Sequence, residues 1–149
     1  MSALKDQIGE AVKDAMRARA KERLGALRLI SAEIKRVEVD TRKTLTDDDV
    51  LSILNKMLKQ RQDSVQQFEA AGREDLAAVE RAEIAVIREF MPEPLSEDAL
   101  SQEIENAIAQ SGAATMKDMG ALMAVLRPRV QGRADMGVVS ARVKARLTN

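Results

Sequence analysis

The sequence contains no cysteine and no histidine. It therefore lacks a thiolate nucleophile, an imidazole base and a zinc site made of the usual ligands, and it cannot form disulfides. Ser2, Thr46, Ser96 and Thr115 stand where a helix is expected to begin, and no serine or threonine lies in a glycine-rich nucleophile motif. We predict no catalytic residue, no metal ligand and no cofactor, and we do not expect the chain to be an enzyme by itself.

Aromatic residues are scarce, since tryptophan and tyrosine are missing and Phe68 and Phe90 are the only phenylalanines. The apolar 45% of the chain is otherwise alanine, leucine, isoleucine, valine and methionine, which is enough for a core but poor in the residues that fill most sheets. This composition predicts an all-α protein. We expect both phenylalanines to be buried, which leaves no aromatic ring on which RNA bases could stack.

No stretch of the chain approaches the roughly 18 to 20 uncharged apolar residues that a membrane span needs. The N-terminal segment carries Lys5, Asp6 and Glu10 and has no apolar region typical of a secretory signal. We therefore expect no membrane partner and a cytoplasmic location.

Charge is balanced overall, with 24 basic and 24 acidic residues, but it is distributed unevenly. Residues 92–110 hold acids and no base, whereas residues 127–149 hold six bases against Asp135. The equal total numbers of basic and acidic residues argue against binding of nucleic acid by bulk charge alone. The basic tail is therefore the nucleic-acid candidate, and its bases are Arg127, Arg129, Arg133, Arg142, Lys144 and Arg146.

Periodic apolar residues predict four helices before residue 91, at about 3–19, 22–40, 46–71 and 74–90. Ser2 is the expected N-cap of the first helix, and Thr46 with Asp49 resembles a capping box for the third. Only Gly72 and Arg73 separate the third and fourth helices, which predicts an antiparallel hairpin. Arg61 and Glu83 are equally distant from Gly72 in sequence and should therefore lie side by side.

Pro92 and Pro94 mark the junction between two predicted domains, residues 1–91 and residues 92–149, because each proline removes a backbone donor and disfavours helix before it. Three short helices are expected in the second domain. Ser96 caps the first, Thr115 and Asp118 open the second, Pro128 stops it, and the third begins at about Gly137.

Several segments together resemble the GatB/YqeY family. In the first domain they are residues 59–64, 71–76 and 91–96, together with Glu80 and Glu83. In the second domain they are residues 119–123, 132–135 and 143–147, which look like the module shared with the tail of the GatB subunit of glutamine-dependent tRNA amidotransferase.

The resemblance implies a helical N-terminal domain followed by a small three-helix domain. Because the amidotransferase tail contacts the tRNA body, it also implies a non-catalytic accessory protein that binds tRNA or another structured RNA. Two alternatives stay open. One is a component of amide transfer, a carbon–nitrogen ligase with glutamine as the amido-N-donor, although the kinase and transamidase portions of that enzyme have no counterpart here. The other is an adaptor for a protein partner.

Charged residues on the hairpin form a second candidate group, Lys59, Arg61, Arg73, Asp75, Glu80 and Glu83. They could hold a ligand phosphate or a magnesium ion between the two helices. We favour a structural interpretation, in which Arg61 and the two glutamates fix the register of the helices and Arg73 and Asp75 cap the turn.

Gly120 and Arg133 carry two further predictions. A glycine inside a helix costs about 1 kcal/mol against alanine, so either a neighbouring helix or an RNA backbone should approach Gly120 closely, and we favour helix packing. Arg133 lies in a loop that begins with Gly132 just before a helix, where backbone N–H donors and the helix dipole favour phosphate.

Overall fold

A computed structural model describes residues 2–148 of the chain. Over that range it contains seven α-helices, one short 3-10 turn and no strand, which confirms the predicted all-α class. The helices are α1 (Ala3–Ala18), α2 (Lys21–Thr41), α3 (Asp47–Ala70), α4 (Glu74–Arg88), α5 (Glu97–Ser111), α6 (Met119–Val130) and α7 (Met136–Thr148), and the 3-10 turn Met116–Asp118 precedes α6. No helix in this range is long and apolar enough to cross a membrane.

The chain divides into two compact units, Met1–Met91 and Pro92–Asn149, and each has its own apolar core. The division falls between Met91 and Pro92, at the first of the two prolines of the junction. Whether each unit folds as an independent domain stays a prediction.

Side-chain caps begin α1 and α3 in the first unit. The Ser2 hydroxyl accepts a hydrogen bond from the Lys5 N–H at 3.0 Å and donates one to Asp47 at the start of α3. The Thr46 N–H donates to the Asp49 carboxylate at 2.9 Å, and the Asp49 N–H donates back to the Thr46 hydroxyl. These local contacts place the starts of the two helices beside each other.

The first unit is built on the α3–α4 hairpin, against which α1 and α2 pack. Gly72 turns the chain with a left-handed φ of 70°, and Arg81 of α4 pairs with Glu69 near the end of α3. The core comprises buried apolar residues from all four helices, including Ile8, Leu27, Ile30, Leu54 and Ile87.

The second unit packs α6 and α7 with α5 around a core that includes Leu100, Ile104, Leu122, Leu126 and Val143. Ser96 caps α5 through the Ala99 N–H at 3.1 Å. Gly112 ends the helix with a left-handed φ of 71°.

Two predictions about individual residues are wrong. Pro128 does not stop α6, which continues to Val130. Its missing N–H falls in the last turn, where the Gln131 N–H still closes on the Arg127 carbonyl at 2.9 Å. Phe68 and Phe90 are half-buried rather than buried.

Candidate functional site

The hairpin contains one charged contact that is mostly shielded from water. The Arg61 Nε donates to the Glu83 Oε2 at 2.8 Å, and the two side chains are only 15% and 20% exposed. Arg61 also donates to the Met57 carbonyl at 3.3 Å. The equal sequence distances from Gly72 thus correspond to a direct contact across the hairpin.

Further charges surround this ion pair. Glu80 lies one turn from Glu83 on α4, and burial together with the neighbouring Glu83 raises the pKa of Glu80 despite the opposing charge of Arg61. On α2, a hydrogen bond from Arg36 lowers the pKa of Glu33, with smaller contributions from the charges of Lys56 and Arg61. Three helices therefore bring opposite charges together here, and the contribution of α2 was not predicted.

Three other members of the predicted hairpin group, Lys59, Arg73 and Asp75, form no ion pair or hydrogen bond with Arg61 or Glu83. Arg73 and Asp75 pair with each other at the tip, at 3.0 and 3.1 Å, and both are exposed. Lys59 is exposed and makes no ion pair within residues 2–148. No group of three or more acidic side chains in that range could hold a metal ion. A ligand role for the six residues stays a prediction.

In the second unit, three of the six predicted nucleic-acid residues pair with α5. Arg146 contacts Glu105 at 2.7 Å, Arg142 lies 3.8 Å from Glu97, and Arg129 lies 4.0 Å from Glu103. These contacts join the acid-rich segment to the basic tail. Both charge runs are visible in the sequence, but their pairing was not predicted.

Arg133 is engaged with the backbone. Its Nε donates to the Glu93 carbonyl at 3.1 Å, while its own carbonyl accepts the Leu95 N–H at 2.8 Å. The Asp135 carboxylate accepts the Gly137 N–H at 2.7 Å and the Val138 N–H at 3.4 Å. The Asp135 carboxylate thus already accepts two of the backbone N–H groups at this helix start, and a phosphate role for Arg133 stays a prediction.

Arg127 and Lys144 are the two predicted nucleic-acid residues that remain available. Both are exposed, on α6 and α7 respectively, and neither forms an ion pair or side-chain hydrogen bond with another described residue. A phosphate can therefore bind Arg127 or Lys144 without displacing an acidic side chain.

The prediction of a helix packed against Gly120 is wrong. Gly120 is exposed near the start of α6, and a side chain built there would meet nothing within 4 Å. The buried face of α6 is formed instead by Leu122, Met123, Leu126 and Val130. The other explanation, close approach of an RNA backbone to Gly120, stays a prediction.

The structure thus defines an all-helical protein in two units with charged surfaces. Among its described residues, no group of acidic side chains could hold a metal ion. The chain belongs to the YqeY-like protein family, whose model matches residues 5–147. The resemblance inferred from the motifs is thus confirmed.

Similar proteins occur in fungi. An uncharacterised protein of Schizosaccharomyces pombe is 36% identical over 83 residues, 56% of this chain and 68% of its own length. A Pyrenophora tritici-repentis protein named altered inheritance of mitochondria protein 41, mitochondrial, is 27% identical over 135 residues, 89% of this chain and 75% of its own length. The Candida glabrata protein of the same name is 36% identical over 84 residues, 55% of this chain and 46% of its own length.

The prediction of a cytoplasmic location is wrong, because the relatives from Pyrenophora and Candida are named as mitochondrial proteins. The composition of an N-terminal segment proved a poor guide to compartment.

Proposed function

We propose that this protein is a non-catalytic accessory that binds tRNA or another structured RNA through its C-terminal unit. The proposal is supported by the resemblance of this unit to the amidotransferase tail that contacts the tRNA body. The observation that carries it is the pair of exposed cations without acidic partners, Arg127 and Lys144.

The outer face of α6 suits a phosphate backbone. Gly120, Ala124 and Arg127 lie on this face within about two helical turns, and all three are exposed. The two small residues let a partner approach the helix, and Arg127 supplies the charge that attracts phosphate.

The other tail arginines contribute less in this proposal. The ion pairs of Arg129, Arg142 and Arg146 with α5 are partly or largely exposed, and such pairs typically stabilise by only about 0 to 1 kcal/mol. A phosphate can therefore compete for these arginines, but the glutamates that it displaces repel it. Arg133 also contributes less, because its Nε already donates to the Glu93 carbonyl.

The proposal is tested by titrating folded tRNA into the full-length protein at about 50 and about 200 mM salt. In the variant Arg127→Ala/Lys144→Ala, two lost phosphate contacts should reduce the slope of log affinity against log salt by about 1.4 to 1.8. A matched control is Lys13→Ala/Arg17→Ala, which removes two cations that pair with acids on α1.

Each outcome selects a function. Salt-sensitive binding that weakens in the tail variant and not in the control supports the RNA accessory. No binding by the wild type refutes it. Glutamine-dependent amide transfer by the wild type would make the protein an enzyme, and a stable protein partner without RNA binding would make it an adaptor.

A further inference from the structure

Four basic residues follow one another at intervals of seven along the second helix of the first unit. Lys21, Arg28 and Lys35 lie on α2, and Arg42 is its C-cap. All four are exposed, and none has an ion pair or a side-chain hydrogen bond to another described residue. On the same helix, by contrast, Arg36 is held by Glu33 and Asp40.

The seven-residue interval aligns these cations. Seven residues turn an α-helix by about 700°, only about 20° short of two full turns, with a rise of about 10.5 Å. The row therefore runs along one face for roughly 31 Å, and the buried residues Leu27, Ile30 and Ile34 lie about 90° to 150° around the helix from its centre. We call this face the basic ridge.

The acids of α2 lie beside or behind the cations of the ridge. From the centre of the row, Glu22, Glu33 and Asp40 lie about 130° to 150° around the helix, and Glu38 lies about 70° away on the other side. Of these, Glu33 and Asp40 bind Arg36, and Glu38 binds Lys5 of α1.

Uncharged residues of modest size separate the cations. Gly25, Ala32 and Val39 alternate with them on the same face, and all three are exposed. A side chain built on Gly25 would meet nothing within 4 Å, so no part of the described chain covers the helix there. A partner can thus approach the helix closely while it contacts a cation every two turns.

We propose that the basic ridge binds the sugar-phosphate backbone of structured RNA, an inference that rests on the proposed function and assigns the RNA a second contact surface. The required partner is an extended polyanion, because the cations are spread along roughly 31 Å rather than gathered at one point. The only large apolar side chains that are largely exposed on α2 are Leu29 and Val39, too few for the apolar centre of a typical protein interface.

The test uses the full-length variant Lys21→Gln/Arg28→Gln/Lys35→Gln. Arg42 is retained because its left-handed φ of 54° means that a substitution there also changes the stability of the backbone. The matched control, Lys13→Gln/Arg17→Gln/Arg73→Gln, removes the same charge from exposed cations that pair with nearby acids. Circular dichroism verifies that both variants fold. A second comparison, Arg28→Glu against Arg17→Glu, needs only a single exposed change in each protein.

Folded tRNA is the probe. The loss of three phosphate contacts should reduce the slope of log affinity against log salt concentration by about 2.1 to 2.7. Raising the salt concentration from about 50 to about 200 mM weakens tRNA binding by some factor in the wild type. In the ridge variant that factor should be about 20 to 40 times smaller. The control should keep the wild-type slope, and Arg28→Glu should weaken binding more than Arg17→Glu.

The two proposals fail in different ways. A ridge variant that binds tRNA like the control, while Arg127→Ala/Lys144→Ala is weakened, overturns the ridge and leaves the tail site standing. A weakened ridge variant with an unaffected tail variant supports the ridge and refutes the tail site. Absence of tRNA binding by the wild type overturns both. The last measurement uses vesicles that contain phosphatidylserine. If the ridge variant loses vesicle binding but keeps wild-type tRNA binding, the ridge binds lipid headgroups and the RNA proposal is overturned.

Discussion

Among the ion pairs between described residues, Arg61–Glu83 combines the lowest exposures of its two partners. Removing one partner of a fully buried pair typically costs about 3 to 5 kcal/mol, whereas an exposed pair contributes about 0 to 1 kcal/mol. With side chains 15% and 20% exposed, this pair lies between those limits. We therefore expect the pair to fix the register of the hairpin by penalising arrangements that separate the charges.

We predict that Arg61→Ala lowers the free energy of unfolding by about 1 to 3 kcal/mol, because Glu83 and the Met57 carbonyl would lose their donor in a poorly hydrated position. Urea denaturation measures the change. Arg73→Ala is the control, since its pair with Asp75 is exposed and should be worth less than about 0.5 kcal/mol. Equal effects of the two substitutions would contradict a structural role for Arg61.

Glu80 should make stability depend on pH. Its pKa is raised in the folded protein, above an ordinary value of 4.5, so the folded state binds this proton more tightly than the unfolded chain. Ionised Glu80 therefore destabilises the folded protein. This destabilisation is absent at pH values below the pKa of Glu80 in the unfolded chain, and it is complete above the pKa of Glu80 in the folded protein. Glu80→Gln should accordingly increase the free energy of unfolding at pH 7, and the gain should shrink as pH falls towards 4.5.

Asp47 provides a control of opposite sign. The Ser2 hydroxyl and the Leu4 N–H lower the pKa of Asp47 below its ordinary 3.8. Its stabilising effect is thus present above the unfolded pKa and is lost as pH falls through the folded pKa. Asp47→Asn should decrease stability at pH 7, as measured by urea denaturation. A pH series in which both variants change stability in the same direction would contradict the assignment.

At the scale of whole helices, the starts were predictable because their chemistry is local. Ser2, Thr46 and Ser96 each accept a backbone N–H three residues ahead, so residue type and spacing are enough to place them. Pro128 was misjudged because a proline near the end of a helix removes a single hydrogen bond and can be accommodated there.

Contacts between helices were harder to predict from the sequence. The Arg61–Glu83 contact followed from the short turn between α3 and α4, which fixes the alignment of both hairpin helices. No such short connection aligns α5 with α7, so the pairing of Arg146 with Glu105 depends on tertiary packing. The basic ridge also escaped prediction, because a surface charge is free only if the folded chain brings no acid to it.

Two glycines should respond in opposite ways to substitution by alanine. Gly120 lies in open helix, so Gly120→Ala should raise stability by up to about 1 kcal/mol. Gly72 has a φ of 70°, which an alanine side chain tolerates poorly, so Gly72→Ala should lower stability by about 1 kcal/mol or more. Thermal denaturation followed by circular dichroism compares them, and a destabilised Gly120→Ala would reveal a contact that the open helix face does not account for.

At the scale of the whole molecule, two separate cores raise the question of whether each unit is a domain in the thermodynamic sense. The first core comprises residues from four helices, among them the fully buried Leu27, Ile30 and Leu54. The second core comprises residues from three shorter helices. Small units bury a smaller fraction of their surface, so their stability is lower.

We therefore predict that the fragment 1–91 is helical alone and unfolds cooperatively, whereas the fragment 92–149 has a lower midpoint or folds only partly. The first fragment retains its capping contacts, the Arg61–Glu83 pair and every member of its core. The second retains the α5 ion pairs, but these are partly or largely exposed and stabilise little. Circular dichroism melts of both fragments and of the full chain measure this order. An unfolded 1–91 fragment would show that the first core needs the second unit, and the two units would then form a single cooperative domain.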